Sequence, residues 1–390
     1  MVSVLEGAKH PVWRGTRRAG HLIGFVDQMH LYKSGEIDVA GQIMEDGIMS
    51  TLYRIGIAGA GGIFKEAHLP AWLEHPEAEI VAIFDANEVR AHEMAVQVGA
   101  SLVYTDYKQM LAEANLDIID ICTPNLYHSE IAIAALEAGV HVICEKPDAV
   151  SPIEAQKMAD AAAQSGKLLM AIRNNRFHPN VQFLQKFAQE GGLGEIYTGR
   201  CGWIRRRGIP GKGGWFTTKE LSGGGPLIDL GVHFIDVAMW VMGNPKPVAV
   251  SGATYRKFGD AQAEGMFDVE DLATGFIRFD NGATLQIEFS WASNIEEEVN
   301  FVELRGTKSG ASLRMGELSL FSEINGQLLD MKPSRIKRKP AKMHNENINH
   351  FIDCLAGRAE PIIRPEHGVD MIKILSAIYE SAETGRELRL

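Results

Sequence analysis

A short apolar strand that runs into a glycine turn constrains this 390-residue chain more than any other feature. Arg54-Ile55-Gly56-Ile57-Ala58 ends in Gly59-Ala60-Gly61, and a helical stretch follows to about Leu73. The next apolar run, Glu79-Ile80-Val81-Ala82-Ile83-Phe84-Asp85, ends in an acid. Asp117–Cys122, Val140–Cys144 and Leu168–Ile172 repeat the theme, with the helical stretch Ser129–Glu137 between two of them. Strands alternating with helices of about 10–15 residues define right-handed βαβ units, a parallel sheet and an α/β fold class. In that setting Gly59 permits the tight turn. Gly61 lets the backbone approach a pyrophosphate at a helix N-terminus, where free N–H groups favour anions. Phe64 stands where a third glycine of such a turn would fall, which leaves the close helix–strand approach open. Asp85, 26 residues beyond Gly59, is placed either to hold the hydroxyls of an adenosine ribose or to cap its strand. A carboxylate there repels a 2′-phosphate, and no Arg or Lys follows until Arg90, which favours NAD over NADP.

The length allows two or three domains of about 150 residues each. Lys and Arg number 39 against 50 Asp and Glu, a formal net charge of −11, which argues against a general nucleic-acid binder. The basic run Arg335–Lys342 reads as a solvated connector against that balance. Cys122, Cys144, Cys201 and Cys354 contain no Cys-x-x-Cys pair and fit buried free thiols in a reducing compartment. The apolar stretch after Arg17-Arg18 stops at Asp27, too short for an export signal, and no run reaches the roughly 18 apolar residues of a membrane span. The expectation is a cytoplasmic protein with no membrane or nucleic-acid partner. Residues 1–50 are glycine-rich without a sustained period, and read either as a leader or as an arm on a neighbouring subunit.

The second half changes character. Phe276–Phe279 and Ala283–Phe289 flank Asp280-Asn281-Gly282, a hairpin turn signal. Ala283, Leu285, Ile287 and Phe289 face one way, while Thr284, Gln286, Glu288 and Ser290 face the other. Oxidation of a secondary alcohol requires that a proton leave oxygen and a hydride leave carbon, so the protein must take the proton and stabilise the alkoxide. Lys146 follows a parallel strand's C-terminal end, the crevice where open α/β sheets bind ligands, and its ammonium suits that charge. Asp229 and His233, four apart at helical spacing, share one face, where a histidine can accept a proton and a carboxylate can orient it. No His-Glu-x-x-His occurs, and His344 and His350 are six apart, so no metal is expected.

Four spaced segments carry a family likeness. They are Gly59-Ala60-Gly61-Gly62-Ile63 with His68, Cys122-Thr123-Pro124-Asn125-Leu126-Tyr127-His128, Glu145-Lys146-Pro147, and Gly223-Gly224-Gly225-Pro226-Leu227-Ile228-Asp229-Leu230-Gly231-Val232-His233. Together they resemble the glucose–fructose oxidoreductase/inositol dehydrogenase (Gfo/Idh/MocA) family from about Tyr53 onward. The resemblance implies an N-terminal Rossmann dinucleotide-binding domain over residues 51–173. It implies an α+β domain with an open, mostly antiparallel sheet over 174–390, whose closing helices pack back on the first domain, after the extension 1–50. It implies dimers or tetramers formed through the open sheet face.

By resemblance Gly59, Gly61, Gly62, Ile63 and Asp85 hold NAD, with Thr123, Pro124, Asn125, His128 and Glu145 toward its nicotinamide end. Lys146 contacts both cofactor ribose and substrate hydroxyl, and His233 is the acid/base beside Asp229. Arg176 matches a segment lining the substrate pocket in relatives, with a surface salt bridge as the alternative; Trp215 suits a wall for a polyhydroxylated substrate. The implied activity is hydride transfer between nicotinamide and a secondary hydroxyl of a sugar or glycoside, with ring carbon 3 of a pyranoside as one specific form. An inositol dehydrogenase, a non-catalytic NAD- and sugar-binding sensor, and an enzyme that never releases its cofactor are the rival readings.

Overall fold

The computed structural model describes residues 42–45, 48–211, 214–259, 265–333 and 343–390. The expected arm, but for its last residues, and the basic connector Arg335–Lys342 lie outside the described residues. The chain divides into two units, Met1–Thr51 and Leu52–Leu390. In the first, Gln42–Glu45 pairs antiparallel with Ile48–Thr51 as a hairpin that the sequence pattern did not announce.

The second unit opens with six parallel strands, β1 (Tyr53–Ala58), β2 (Ala78–Phe84), β3 (Leu102–Tyr104), β4 (Ile118–Ile121), β5 (His141–Cys144) and β6 (Leu169–Ala171). Their order is β3-β2-β1-β4-β5-β6, so the sheet reverses direction between β1 and β4. That switch point opens a crevice at the strand ends, where ligands of such sheets bind. Helices α1 (Leu69–Glu74), α2 (Glu88–Val98), α3 (Tyr107–Glu113), α4 (His128–Glu137) and α5 (Pro152–Ser165) connect the strands. The chain enters α1 through a π-helical turn, Phe64–His68, with Phe64 fully buried. The position without its third glycine is thus filled by core packing.

After α6 (Pro179–Gln189) comes a mixed nine-stranded sheet. Its strands are β7 (Ile196–Ile204), β8 (Pro247–Tyr255), β9 (Leu272–Phe279), β10 (Thr284–Ser290), β11 (Val299–Gly306), β12 (Ser309–Arg314), β13 (Glu317–Ile324), β14 (Gln327–Met331) and β15 (Leu388–Arg389). The order is β14-β13-β12-β11-β7-β10-β9-β8-β15, and only the β7–β10 pair is parallel. Gly282 turns the β9–β10 hairpin, and the alternation along β10 holds: Ala283, Leu285, Ile287 and Phe289 are buried. Ser290 departs from it, being fully buried with its hydroxyl donating to Asp271 O and Ala292 O.

Two short elements, α7 (Lys219–Ser222) and α8 (Val232–Val241), are joined by a second π-helical turn, Leu227–Gly231. Contrary to the sequence expectation, Lys219–Val241 is long and apolar enough to cross a bilayer by length and composition, with mean hydropathy 1.2. Its most apolar window is 89% buried inside the protein, so the apolarity serves the core. The closing helices are α9 (Met343–Leu355) and α10 (Pro365–Thr384). Ile348, Phe351 and Ile352 of α9 join Ile55, Ile57 and Trp72 in one buried cluster that seals one face of the parallel sheet. Each such side chain contributes about 1.5–3 kcal/mol by burial. Ile374, Leu375 and Ile378 of α10 join the larger cluster, which runs continuously from α4 and α5 into α8 and the second sheet.

Candidate active site

At the C-terminal ends of β1, β4 and β5 a cleft of about 660 Å³ is lined by Gly59, Gly61, Gly62, Ile63, Asp85, Thr123, Pro124, Asn125, His128, Glu145 and Lys146. Gly59 has φ +98°, and a Cβ there would come within 2.8 Å of the Cys122 carbonyl carbon. Only glycine lets the β1 and β4 turns meet. Gly61 and Gly62 face open space where any Cβ would meet nothing within 4 Å. The Thr123 hydroxyl is buried without a hydrogen-bond partner. Such an orphaned polar atom beside a bare glycine backbone fits a phosphate- and hydroxyl-bearing ligand such as a dinucleotide.

Asp85 is fixed by its neighbours: Oδ2 accepts the Ala60 N–H at 3.0 Å and Oδ1 the Asn87 N–H at 2.8 Å. The first turn of α2 also carries Arg90 back to 3.4 Å from Oδ2. The cation that the sequence placed too far along the chain therefore sits at the carboxylate. His128 is buried, with Nδ1 2.7 Å from Pro147 O and Nε2 2.9 Å from Thr123 O, so it ties the β4 and β5 turns together. Asn125 donates to Ser222 O at 2.8 Å and joins the cleft to α7. Trp215 lies on the same cleft, its ring stacked on Phe216 with centroids 3.9 Å apart.

At the other end of the cleft Lys146 Nζ meets Asp229 Oδ1 at 2.8 Å and Asp229 O at 3.3 Å. The second carboxylate oxygen of Asp229 accepts the indole N–H of Trp291 at 3.0 Å. Burial pushes the Asp229 carboxyl up, but the Lys146 ammonium overrides it and holds the group below the usual carboxylate range. Burial first, and then the same ammonium, lowers His233 to about 3, so its ring is neutral at pH 7. No hydrogen bond to the His233 ring occurs among the described residues, and its ring nitrogens remain for a ligand.

The glycine run before Asp229 now has a physical reason. Glu270, just before β9, accepts the N–H groups of Gly225 and Leu227 at 2.9 and 3.0 Å and the Tyr379 hydroxyl at 2.8 Å. A Cβ on Gly225 would fall 2.1 Å from Glu270 O. Glu270 thus satisfies free N–H groups at the start of the turn bearing Asp229. Sequence reading missed both Glu270 and Trp291. The Ala283–Phe289 alternation, continued one step, points Trp291 inward, and a buried indole N–H needs an acceptor.

Arg176 requires correction. It lies on neither a substrate pocket nor the surface: it is 1% exposed and paired with Asp236 through Nε–Oδ2 at 2.8 Å and Nη2–Oδ1 at 2.7 Å. The guanidinium sits 5.2 Å from the Trp240 ring centre. Its planar fork matches one carboxylate, and that pairing makes burial tolerable. Arg205 and Arg207, open as anion binders by sequence, lie over Trp203 and Phe258 at 4.2 and 4.6 Å.

Comparison with known proteins agrees with this geometry. Residues 53–172 match the oxidoreductase family with NAD-binding Rossmann fold, and residues 181–312 match the GFO/IDH/MocA C-terminal domain. The chain belongs to the GFO/IDH/MocA family of oxidoreductases. It is similar to D-glucoside 3-dehydrogenase of Escherichia coli (strain K12), 35% identical over 356 residues, which are 89% of this chain and 100% of that protein. It is 30% identical over 281 residues to levoglucosan dehydrogenase of Pseudarthrobacter phenanthrenivorans, 65% of this chain and 71% of that one. Among solved structures, levoglucosan dehydrogenase in complex with NADH and L-sorbose superposes with a TM-score of 0.78 at 25% identity, covering 87% and 99% of the two chains. GenD2 from gentamicin A biosynthesis in complex with NAD gives 0.72 at 26% identity, covering 89% and 99%.

Proposed function

We propose that this protein oxidises a secondary ring hydroxyl of a glucoside, at ring carbon 3, with NAD in the cleft. The observation that carries the reading is the Lys146–Asp229 contact at the end of a cleft that begins with the glycine turn. When bound, NAD supplies the acceptor for the hydride. Lys146 presents its ammonium to the substrate oxygen and stabilises the negative charge that develops there. His233, neutral at pH 7, takes the hydroxyl proton on a ring nitrogen. Its basicity is held down by burial and by Lys146, and negative charge growing on the substrate oxygen offsets that second effect. Asp229 anchors Lys146 and leaves its own charge near His233, which favours the imidazolium once it forms.

Likeness to the glucoside 3-dehydrogenase over nearly the whole chain supports the choice of substrate and position. The Asp85 carboxylate supports NAD over NADP, with Arg90 beside it as the feature that opposes this. Trp215 and Phe216 offer an aromatic wall on the cleft. The test is NADH formation over a panel of glucosides, free sugars and inositols. Turnover of glucosides is expected. Activity on inositols alone would overturn the substrate assignment, and NAD binding without turnover of any of them would favour a sensor.

A further inference from the structure

Below the cleft floor lies a row of ionisable groups that the chemistry above does not use. His68, at the end of the first π-helical turn, is fully buried. Its Nδ1 is 2.9 Å from Asp120 Oδ2, and its Nε2 is 2.9 Å from Glu145 Oε1. Asp120 on β4 also accepts the Trp72 indole N–H at 2.7 Å. Glu145 uses its other oxygen to accept the backbone N–H of Lys146 at 2.9 Å. The remaining titratable groups facing the ring are the Cys122 thiol, 3.6 Å from Nδ1, and His344 on α9, whose Nε2 is 3.6 Å from Glu145 Oε1.

A neutral imidazole has one donor and one acceptor, and an acceptor nitrogen set against a carboxylate oxygen is repelled. Carboxylates on both ring nitrogens therefore call for a ring that carries both protons. The charges then alternate across four elements: Asp120 negative, His68 positive, Glu145 negative, Lys146 positive, Asp229 negative. We infer that His68 is a positioning residue: clamped between Asp120 and Glu145, it holds the Glu145 carboxylate against the Lys146 N–H and so fixes the origin of the side chain that reaches Asp229. This rests on the role proposed for Lys146.

Electrostatics agree with the geometry. Burial opposes a charged His68, but the Asp120 carboxylate overrides it and holds the imidazole well above its ordinary range. Burial likewise pushes Glu145 up, and His344, His68 and Lys146 together bring it well below the usual carboxylate range. Without the His68 charge, the Glu145 carboxylate loses one of its three supports and takes up a proton at higher pH.

The experiment has two arms. In the first, nitrogen-15 spectra of histidine-labelled protein, with the His68 signals assigned by their loss in His68→Gln, show both ring nitrogens protonated at about pH 8. A neutral ring, or a stoichiometric metal ion in the purified protein, overturns the inference. In the second, His68→Gln lowers kcat about tenfold and moves the acid limb of its pH profile up by about one unit, with NAD affinity changed less than about twofold. His68→Gln/Asp120→Asn restores a neutral donor chain onto Glu145 and recovers folding and part of kcat should the single variant fold poorly. An acid limb that stays in place in both variants marks His68 as structural only. Wild-type protein that turns over no sugar defeats the proposed reaction instead, and the nitrogen-15 arm still decides the state of His68.

Discussion

Two carboxylates mark the two ends of the cleft and are held in different ways. Asp85 is fixed by backbone N–H groups of Ala60 and Asn87, close to the strand turn that it serves. Asp229 is fixed by two side chains from other parts of the fold, Lys146 at 83 residues' separation and Trp291 at 62. The first end is a product of local βα geometry and is preformed as soon as the parallel sheet forms. The second exists only when the Rossmann strand β5, the turn before α8 and the residue after β10 are assembled. Binding of the nucleotide and chemistry on the substrate should therefore separate under mutation.

The largest separation is expected at Lys146. Lys146→Met removes the charge facing the substrate oxygen and lowers kcat by about 10²–10³-fold. The NAD dissociation constant from calorimetry should stay within about threefold, because the glycine turn and Asp85 are untouched. A parallel loss of both quantities would erase the distinction between the two ends.

Trp291→Phe sharpens it further, since it preserves the ring and removes only the N–H that Asp229 accepts. A hydrogen bond to a charged group contributes about 1.5–3 kcal/mol, so kcat should fall about tenfold at unchanged NAD affinity. Asp85→Ala is the converse experiment. The NAD dissociation constant should rise about tenfold, with kcat at saturating NAD within about twofold of wild type. Because Arg90 then loses its partner, the affinity for NADP should rise relative to NAD.

The smallest effect is on stability against pH. His233 has its pKa lowered to about 3, so its contribution is fully present above its unfolded value near 6.5 and is lost as pH falls from there toward 3. The slope is at most about 1.4 kcal/mol per pH unit, reduced where water reaches the ring. Denaturant midpoints measured at intervals below neutrality should decline less steeply in His233→Gln than in wild type. Equal slopes would mean that His233 is not held neutral beside Lys146.

The difference between the ends also explains what could be read from the chain. Gly59, Gly61 and Asp85 announce themselves because each acts within one strand–turn–helix unit, where periodicity and spacing carry the information. Lys146, Asp229 and His233 could be picked out by motif, but not the indole that holds Asp229 or the Glu270 carboxylate that organises its turn. Those contacts close over long separations and leave no local pattern, apart from the alternation along β10 that points Trp291 inward. Arg176 fails for a related reason. A cation in a polar stretch looks exposed until Asp236, 60 residues away, is brought against it in the core. His68 is the same case at the cofactor end, a histidine whose two carboxylates come from β4 and from the turn after β5.

The account as a whole turns on which carbon gives up its hydrogen. Methyl β-glucoside carrying deuterium only at ring carbon 3 should transfer that label to the nicotinamide, with reduced cofactor one mass unit heavier and turnover slowed if hydride transfer limits the rate. Unlabelled reduced cofactor from that substrate, with label transferred instead from another ring position, would contradict the assignment.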